Sequence, residues 1–143
     1  MISTDFSKKE RAFFNAARSL AELSDHRCKL GCVVVDGHKI VSSGYNSARR
    51  CHRMQAELDQ RYFGMESKGP IHAELDALLP FTKPGRSLAK ATLYVWRELP
   101  TGAPGMARPC ARCMSLIKAL NIRRVCYSTP DGAARELITE FTQ

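Results

Sequence analysis

Apolar residues in the first part of the chain recur every three to four positions, which is the period of one face of a helix. Phe13, Ala17 and Leu20 carry this period. Ser7 and Glu10 precede it in the S-x-x-E arrangement of a capping box, in which each side chain bonds the backbone N–H of the other residue. The pattern therefore predicts a helix that starts at Ser7 and runs to about residue 24.

Short apolar runs bounded by turn residues predict four strands. The runs GCVVVD (31–36) and IVSSGYN (40–46) are separated by the turn residues GHK, so we expect them to form a hairpin. Two further strands are predicted over ATLYVW (91–96) and IRRVCYS (122–128). Between this second pair lies RELPTGAPGMARP (97–109), whose glycines and prolines predict a loop.

Helical patterns alternate with the strands in the second half of the chain. Helices are predicted over 72–79, 110–120 and 131–141, and a short one is expected within QAELDQRYF (55–63). Such alternation favours parallel crossovers, so the predicted fold class is α/β, with helices packed around one mixed sheet. No internal repeat or boundary divides the chain, and we expect a single domain over 1–143.

The composition is that of a globular protein with a sizeable core, because 44% of the residues are apolar and 25% are charged. No apolar run approaches the roughly 18 to 20 residues of a membrane-spanning helix, and we expect no membrane partner. The first residues, MISTDFSKKERAFF, lack the apolar stretch of a signal peptide. These features favour an intracellular protein, which we expect in the cytoplasm.

The net charge and the cysteine content indicate which kinds of partner and which cysteine chemistry to expect. The net charge of +8 favours an anionic partner such as a nucleotide phosphate or a nucleic acid, although a generally basic surface would give the same total. The densest basic run is ARRCHR (48–53). Without a secretory signal, the six cysteines favour metal binding or buried thiols over disulfides. Cys32 and Cys126 lie in apolar runs, so we expect them in the core.

The sequence PIHAEL (70–75) places a histidine two residues before a glutamate at the start of a predicted helix. Ordinary helix chemistry offers one explanation, since Pro70 suits the first turn and Glu74 is stabilised near a helix N-terminus. Metal chemistry offers a second, in which His72 is a ligand. The choice between them depends on what else reaches His72.

A second motif, PCARC (109–113), supplies two more candidate ligands. Cys110 and Cys113 stand three apart at a predicted helix start, so their sulfurs share one face and the helix N-terminus favours the thiolate. With the imidazole of His72 they would give Zn²⁺ three ligands and leave a fourth position open for water. Glu74 would then take a proton from that water. A redox-active cysteine pair is the alternative for C-x-x-C alone.

Taken together, H-x-E and P-C-x-x-C form the signature of zinc-dependent nucleobase deaminases, and the chain resembles the cytidine and deoxycytidylate deaminase family. The resemblance covers most of the chain, from GCVVVDGHKIVSSGYN to RPCARCMSLIKALNIRRVCYS. It implies a three-layer α/β/α cytidine-deaminase-like fold with a mixed central sheet of about five strands.

The resemblance also implies roles for individual residues. Glu74 would move protons during the reaction. Asn46, which ends GYN, would contact the substrate, and the backbone near Ala73 would help to read the pyrimidine edge. The implied zinc ligands are His72, Cys110 and Cys113.

Within this family the chain is most similar to the deoxycytidylate deaminases. The connection 46–72 is long and basic, and IHAELDALL is similar to their zinc helix. GYNSAR departs from the family's GYNG-x-P, and the loop RELPTGAPGMAR is longer than usual. The expected reaction is hydrolysis of deoxycytidine monophosphate (dCMP) to deoxyuridine monophosphate (dUMP). The alternatives are deamination of cytosine or adenine in single-stranded DNA or RNA, and a non-catalytic zinc module that binds nucleic acid.

Some residues outside the two motifs are further candidates for substrate contact. Arg49, Arg50 and Arg53 would hold a 5′-phosphate or form a solvated face. Trp96, at a strand end, would stack on a base or pack in the core, and Tyr127 is similarly placed. We expect a small-molecule nucleotide as substrate, and a homo-oligomer.

A second, structural zinc site is an additional hypothesis, because some deoxycytidylate deaminases carry one in this region. Its candidates are Cys28, Cys51 and His52. The set is incomplete for a structural site, and adjacent residues are awkward ligands for one ion.

Overall fold

A computed structural model describes residues 5–50, 52–64, 70–82 and 87–138. The helices are α1 (Lys8–Ala21), α2 (Arg53–Phe63), α3 (Ala73–Leu78), which continues into a 3₁₀ turn (Leu79–Phe81), and α4 (Ala111–Ala119). The strands are β1 (Lys29–Asp36), β2 (Lys39–Tyr45), β3 (Ala91–Glu98), β4 (Pro104–Gly105), β5 (Arg124–Thr129) and β6 (Gly132–Leu137). Within these described ranges, none of the helices has the length and apolar character needed to cross a membrane.

The strands form one mixed sheet in the order β2-β1-β3-β5-β6. These neighbours pair antiparallel except β3 and β5, which are parallel and are connected through α4. A parallel pair needs such a crossover because the chain has to return to the same end of the sheet. The predicted hairpin, the predicted crossover and the α/β fold class are therefore confirmed.

The sheet has six strands, against about five expected. The additional short strand, β4, lies inside the segment predicted as a loop, where Gly105 pairs with Arg97 and Pro104 with Glu98. Glycine and proline are normally depleted in strands, so composition alone predicts a loop here. Strand β4 has only two residues and pairs with the last two residues of β3, where a glycine and a proline can be accommodated.

Alternation along the strands divides the core into two halves. In β3, Tyr94 and Trp96 belong to the apolar cluster formed with α1, whereas Leu93 and Val95 belong to the cluster formed with α3 and α4. Successive side chains of a strand point to opposite faces, so α1 covers one face of the sheet and α3 and α4 cover the other. This is the three-layer α/β/α arrangement.

Helix α1 begins as its sequence predicts. The hydroxyl of Ser7 accepts a hydrogen bond from the backbone N–H of Glu10 at 3.1 Å, and the Glu10 carboxylate accepts one from the N–H of Ser7 at 2.8 Å. Its buried face carries Phe14, Ala17 and Ala21. The helix ends at Ala21, three residues earlier than expected, with Glu22 as its C-cap.

Two glycines let both helical layers lie close against the sheet. A Cβ on Gly31 would lie 2.0 Å from the carbonyl oxygen of Ala17 in α1. A Cβ on Gly44 would lie 2.5 Å from the backbone nitrogen of Ala77 in α3. Because real Cβ atoms do not approach backbone so closely, any larger residue would move the helix away from the sheet. The position of α3, which matters for the site, thus depends on Gly44.

The helix predicted over 131–141 is wrong within the described residues, because 132–137 form strand β6, antiparallel to β5. The preceding sequence TPDG (129–132) contains the residue types that favour a tight turn. AAREL is rich in helix formers, but helix propensity is a weak prior that tertiary contacts override. One such contact is the ion pair between Arg135 and Glu10 of α1, at 2.8 Å. The end of the predicted helix, 139–141, lies outside the described residues.

Gly31→Ala should destabilise the protein, because its methyl group would have to displace the backbone of α1. Forcing extra atoms into a packed interior costs typically about 1–3 kcal/mol in the free energy of unfolding. Ser43→Ala, at an exposed position of β2, is the control and should change stability by less than about 0.5 kcal/mol. Urea unfolding curves measure both, and equal stabilities would contradict the close packing of α1 on β1.

Candidate active site

His72 is the N-cap residue of α3, yet its side chain makes no capping hydrogen bond. Its backbone N–H donates to the side-chain oxygen of Gln55 at 2.9 Å, and the Gln55 amide nitrogen donates to the carbonyl of Pro70. Gln55 is buried on α2, so that helix holds the start of α3 in place. Ordinary capping therefore does not explain the His72 side chain.

The His72 ring faces the start of helix α4. Its Nδ1 lies 3.7 Å from Sγ of Cys110, the N-cap of α4, and 3.6 Å from Sγ of Cys113, in the first turn. Cys113 is buried and Cys110 is partly exposed. Among the described residues, His72, Cys110 and Cys113 form the one set of three potential ligands whose atoms lie within 4.8 Å of one another. We call this set the His/Cys/Cys group.

The donor set and spacing fit a tetrahedral zinc ion. Typical Zn–S and Zn–N bonds at tetrahedral angles separate a sulfur from a nitrogen by about 3.6 Å. The two observed separations, 3.7 and 3.6 Å, match this value. Thiolate and imidazole are also ligands that zinc prefers. Three protein ligands leave a fourth tetrahedral position, as catalytic zinc sites require.

The two thiols of the group differ in acidity. A hydrogen bond from Cys113, assisted by one from His72, lowers the pKa of Cys110 to about 3 against the opposing effect of burial. The same hydrogen bond, together with burial, raises the pKa of Cys113. Hydrogen bonding to the Cys110 thiolate in turn raises the pKa of His72. One sulfur is thus a thiolate before any metal binds, and binding would release the proton from the other.

Glu74 lies in the first turn of α3 and is 5% exposed. Burial raises its pKa above that of an ordinary glutamate, while the neighbouring charge of His72 partly opposes this effect. A carboxyl group whose pKa is moved toward neutrality can both accept and donate a proton, which is what a general acid–base needs. Glu74 is not among the three residues of the His/Cys/Cys group, so it is free of metal binding in this geometry.

Asn46 lies buried where β2 ends, and both polar atoms of its side chain have protein partners. Oδ1 accepts hydrogen bonds from the Ser24 hydroxyl at 2.6 Å and from the N–H of Leu30 at 2.9 Å. Nδ2 donates to the carbonyl of Cys28 at 2.5 Å. The amide therefore joins the start of β1 to the end of β2, which agrees with the alternative that Asn46 satisfies backbone groups. Its contact with substrate stays a prediction.

Each of the three candidate phosphate-binding arginines has a carboxylate partner. Arg49 lies 3.7 Å from Asp25, and Arg53 lies 3.3 Å from Glu57; both arginine side chains are 90% exposed. Such exposed pairs contribute little because water screens them, so a stronger anion can replace the partner. Arg50 is held more firmly, because two of its nitrogens bond the Asp76 carboxylate at 3.1 and 3.2 Å.

The prediction that Trp96 stacks on a base is corrected by the structure. Trp96 is 3% exposed and packs on Phe14, on the α1 face of the sheet, whereas the His/Cys/Cys group is on helices of the other face. Its indole N–H donates to Glu98 at 2.9 Å. Tyr127 does belong to the face covered by α3 and α4, and its hydroxyl bonds Glu136 at 3.0 Å. Its role in substrate binding stays a prediction.

The candidates for a second zinc site are not brought together where they are described. The sulfur of Cys28 accepts a hydrogen bond from Arg97 at 3.5 Å. His52 caps α2, where its Nδ1 accepts from the N–H of Met54 at 3.0 Å. Cys51 lies outside the described residues.

Two residues that the sequence analysis missed, Arg112 and Asp59, lie next to His72 on the side away from the cysteines. Arg112, between the two cysteines, places Nη2 2.9 Å from Nε2 of His72. Its other terminal nitrogen, Nη1, pairs with Asp59 of α2. The available signal was the spacing of Gln55 and Asp59, two polar residues four apart that share one face of a helix.

A mixed sheet with a His/Cys/Cys group and a buried glutamate at two helix starts defines a nucleobase deaminase. Residues 7–129 match the family model of the cytidine and deoxycytidylate deaminase zinc-binding region. The chain belongs to this family and is an enzyme of hydrolytic deamination.

Individual relatives agree with this assignment. The chain is 35% identical over 127 residues to a deoxycytidylate deaminase of Mycobacterium phage D29, which covers 80% of this chain and 90% of that protein. A dCMP deaminase of cyanophage S-TIM5, solved with dCMP and dUMP, has a TM-score of 0.59 at 19% identity, over 87% of this chain and 84% of that one. A cytidine deaminase from Burkholderia pseudomallei has a TM-score of 0.59 at 16% identity, over 92% and 93%. Both structures share the fold.

Proposed function

We propose that this protein is a zinc-dependent enzyme that deaminates dCMP to dUMP. The observation that carries the proposal is the His/Cys/Cys group at the separations a zinc ion needs, with buried Glu74 two residues from the histidine. The proposed ligands are Nδ1 of His72 and the sulfurs of Cys110 and Cys113. When bound, zinc supplies a lowered pKa of coordinated water and so a nucleophile at neutral pH.

Glu74 transfers the protons in this reaction as the general acid–base. Water adds to the base so that its oxygen bonds C4 while Glu74 carries one proton to N3. Glu74 then moves the remaining hydroxyl proton to the exocyclic nitrogen, the C4–N bond breaks, and ammonia leaves as the C4 carbonyl forms. Each transfer needs a carboxyl group that gains and loses a proton with similar ease, and the raised pKa of the buried Glu74 supports this role.

The monophosphate is favoured as substrate by the relationship to a deoxycytidylate deaminase at 35% identity and by the arginines of residues 49–53. Arg49 and Arg53 are exposed, and their weak ion pairs leave them available to a 5′-phosphate. We further propose contacts from Arg50, Asn46, Tyr127 and the backbone of Ala73.

Substrate choice is tested by incubating the purified protein with dCMP, deoxycytidine, or a single-stranded oligodeoxynucleotide that contains cytosine. Chromatography of the products and an ammonia assay should show one dUMP and one ammonia per dCMP consumed. A preference for the oligonucleotide over dCMP of more than about tenfold in kcat/KM would overturn the proposed substrate.

The purified protein should contain about one zinc per chain, because the His/Cys/Cys group offers one set of ligands. Cys113→Ala should lose the metal, since two protein ligands hold zinc much more weakly than three. Cys28→Ala is the matched control, because Cys28 is a free cysteine outside the group, and it should keep its zinc. Metal analysis of reductant-treated samples measures both. A metal-free parent protein, or equal loss in both variants, would contradict the assigned site.

Glu74→Gln should keep the fold and the zinc but lose turnover. The amide has nearly the same shape as the carboxylate but cannot exchange protons, and general acid–base groups contribute typically ~10²–10⁴-fold. Steady-state assays with dCMP should show the loss in kcat, with metal content measured on the same sample. Activity above about a tenth of the parent value would mean that another group is the base.

Arg49→Ala should raise KM for dCMP several-fold while leaving deoxycytidine turnover unchanged. The nucleoside has no phosphate, so it makes no contact that this substitution could remove. Lys39→Ala, an exposed cation at the hairpin turn, is the control and should change neither. The affinity for dCMP should depend only weakly on salt concentration, because dCMP offers one phosphate. For single strands, the slope of log K against log salt is about −0.7 for each phosphate contacted, so a strand that makes several contacts would show a steeper dependence. Equal effects of Arg49→Ala on nucleotide and nucleoside would exclude a phosphate contact.

A further inference from the structure

Arg97 is a partly buried arginine near the end of β3 that has no carboxylate partner among the described residues. Its Nε is buried and has no hydrogen-bond partner in that part of the chain. Its Nη2 donates to the sulfur of Cys28 at 3.5 Å, and a thiol sulfur is a weak acceptor. The adjacent carboxylate, Glu98, instead bonds Trp96 and Arg18. Burying a cation without a strong acceptor is unfavourable, which indicates an acceptor from outside the chain.

Arg97 lies on the face and at the end of the sheet where the His/Cys/Cys group is found. Side chains alternate along β3, so Arg97 shares a face with Val95, which packs in the cluster formed with α3 and α4. Leu30, its pairing partner in β1, packs against the same cluster. From this end of β3 the chain leads to Cys110, at the start of α4. Ligands of open α/β sheets bind outside the carboxyl ends of the strands, which here is where β3 and β5 end.

Arg97 is also close to Asn46, the residue predicted to contact substrate. Asn46 follows β2 and Arg97 is in β3, so the two residues flank the start of β1. Leu30 pairs with Arg97 on one side and exchanges two hydrogen bonds with Asn46 on the other, at 2.9 and 3.2 Å. The carbonyl of Cys28 accepts from the Asn46 amide, and its sulfur accepts from Arg97.

The surrounding backbone holds the Arg97 side chain in this position. Its N–H donates to the hydroxyl of buried Ser128 at 2.9 Å, and that hydroxyl donates to the carbonyl of Gly105 at 2.7 Å. A Cβ on Gly105 would lie 3.0 Å from Cδ and 3.1 Å from Cγ of Arg97. Glycine in β4 therefore leaves room for the arginine stem. The segment 97–109, which is longer than the family pattern, thus both carries and places this cation.

We propose that Arg97 binds the 5′-phosphate of the substrate. A guanidinium only donates, and its planar fork matches the oxygens of a phosphate. Those oxygens are strong, charged acceptors, which is the kind of group that Nε lacks. Unlike Arg49 and Arg53, Arg97 has no carboxylate to release when the phosphate arrives. This inference rests on the dCMP deamination proposed above. The competing explanations are a contact with the base or the sugar, and a purely structural role.

Steady-state kinetics with dCMP and deoxycytidine separate these explanations. Arg97→Met keeps most of the side-chain length but removes the charge and the donors. It should lower kcat/KM for dCMP roughly 10–100-fold, mainly through KM, which is the range expected for hydrogen bonds to a charged group. The value for deoxycytidine should stay within about twofold of the parent, because the lost contact is absent from that substrate. Equal losses with both substrates, or no loss with dCMP, would overturn the proposal.

Arg18→Met is the matched control. Arg18 lies on α1, which covers the opposite face of the sheet, and it pairs with Glu98, the residue next to Arg97. Because Arg18 is remote from the proposed phosphate contact, its replacement should leave the preference for dCMP over deoxycytidine unchanged. A loss of that preference equal to the loss in Arg97→Met would mean that positive charge at this end of β3 acts without contact, and the proposal would be wrong.

Thermal unfolding supplies a readout that does not depend on turnover. Arg97→Met should melt at the same temperature as the ligand-free parent or higher, because it removes a buried cation that lacks a strong acceptor. The product dUMP should raise the melting temperature of the parent more than that of the variant. A lower melting temperature together with an unchanged effect of dUMP would show that Arg97 is structural, which would overturn the proposal.

A second variant covers the case in which Arg97→Met does not fold. Arg97→Lys keeps the charge but loses Nε and the planar fork, so it should bind dUMP more weakly than the parent and deoxyuridine equally well in calorimetry. Equal affinity for dUMP in Arg97→Lys and the parent would overturn the proposal. If the parent does not deaminate dCMP, the proposed function fails. If it does, and the Arg97 variants keep its preference for dCMP, only this inference fails.

Discussion

The site depends on one constraint, which is that two helices start at the same place. The N-terminus of α3 brings Nδ1 of His72 to 3.7 and 3.6 Å from the two sulfurs at the N-terminus of α4. The parallel pairing of β3 with β5 fixes α4, because this helix is part of the crossover between them. The close contact of Gly44 with Ala77 and the hydrogen bond from His72 to Gln55 fix α3. Ligand spacing is therefore a product of tertiary packing, and neither motif alone creates it.

The same region buries two carboxylates in different surroundings. Glu74 is buried near His72, and its burial raises its pKa toward the range useful for proton exchange. Asp59 is buried more completely but is held in an ion pair with Arg112. The two groups therefore differ in their surroundings, since Glu74 lies beside His72 and Asp59 is held in an ion pair between two helices. Both burials oppose folding, as is common where groups are arranged for function.

The sequence predicted the features that local patterns encode. Capping at Ser7, the hairpin of β1 with β2 and the crossover through α4 follow from short-range signals, and all are confirmed. The expected closing helix is wrong because AAREL has helix propensity, whereas pairing with β5 is a long-range contact. The alternation of side chains along β3 predicted that Tyr94 and Trp96 lie on the same face of the sheet. It did not indicate which face of the sheet lies next to the His/Cys/Cys group. The spacing of Gln55 and Asp59 indicated a shared helix face, but the ion pair of Asp59 with Arg112 depends on α2 lying beside α4, and local spacing does not encode that contact.

The connection between β2 and α3 carries both buried polar residues near His72 and exposed arginines. Its helix, α2, directs Gln55 and Asp59 inward, where Gln55 accepts a hydrogen bond from the backbone N–H of His72 and Asp59 pairs with Arg112. Arg53, the first residue of α2, and Arg49, four residues earlier, are almost fully exposed. A change in the position of α2 would therefore affect the backbone at His72 and the location of the exposed arginines together, because both depend on this one helix.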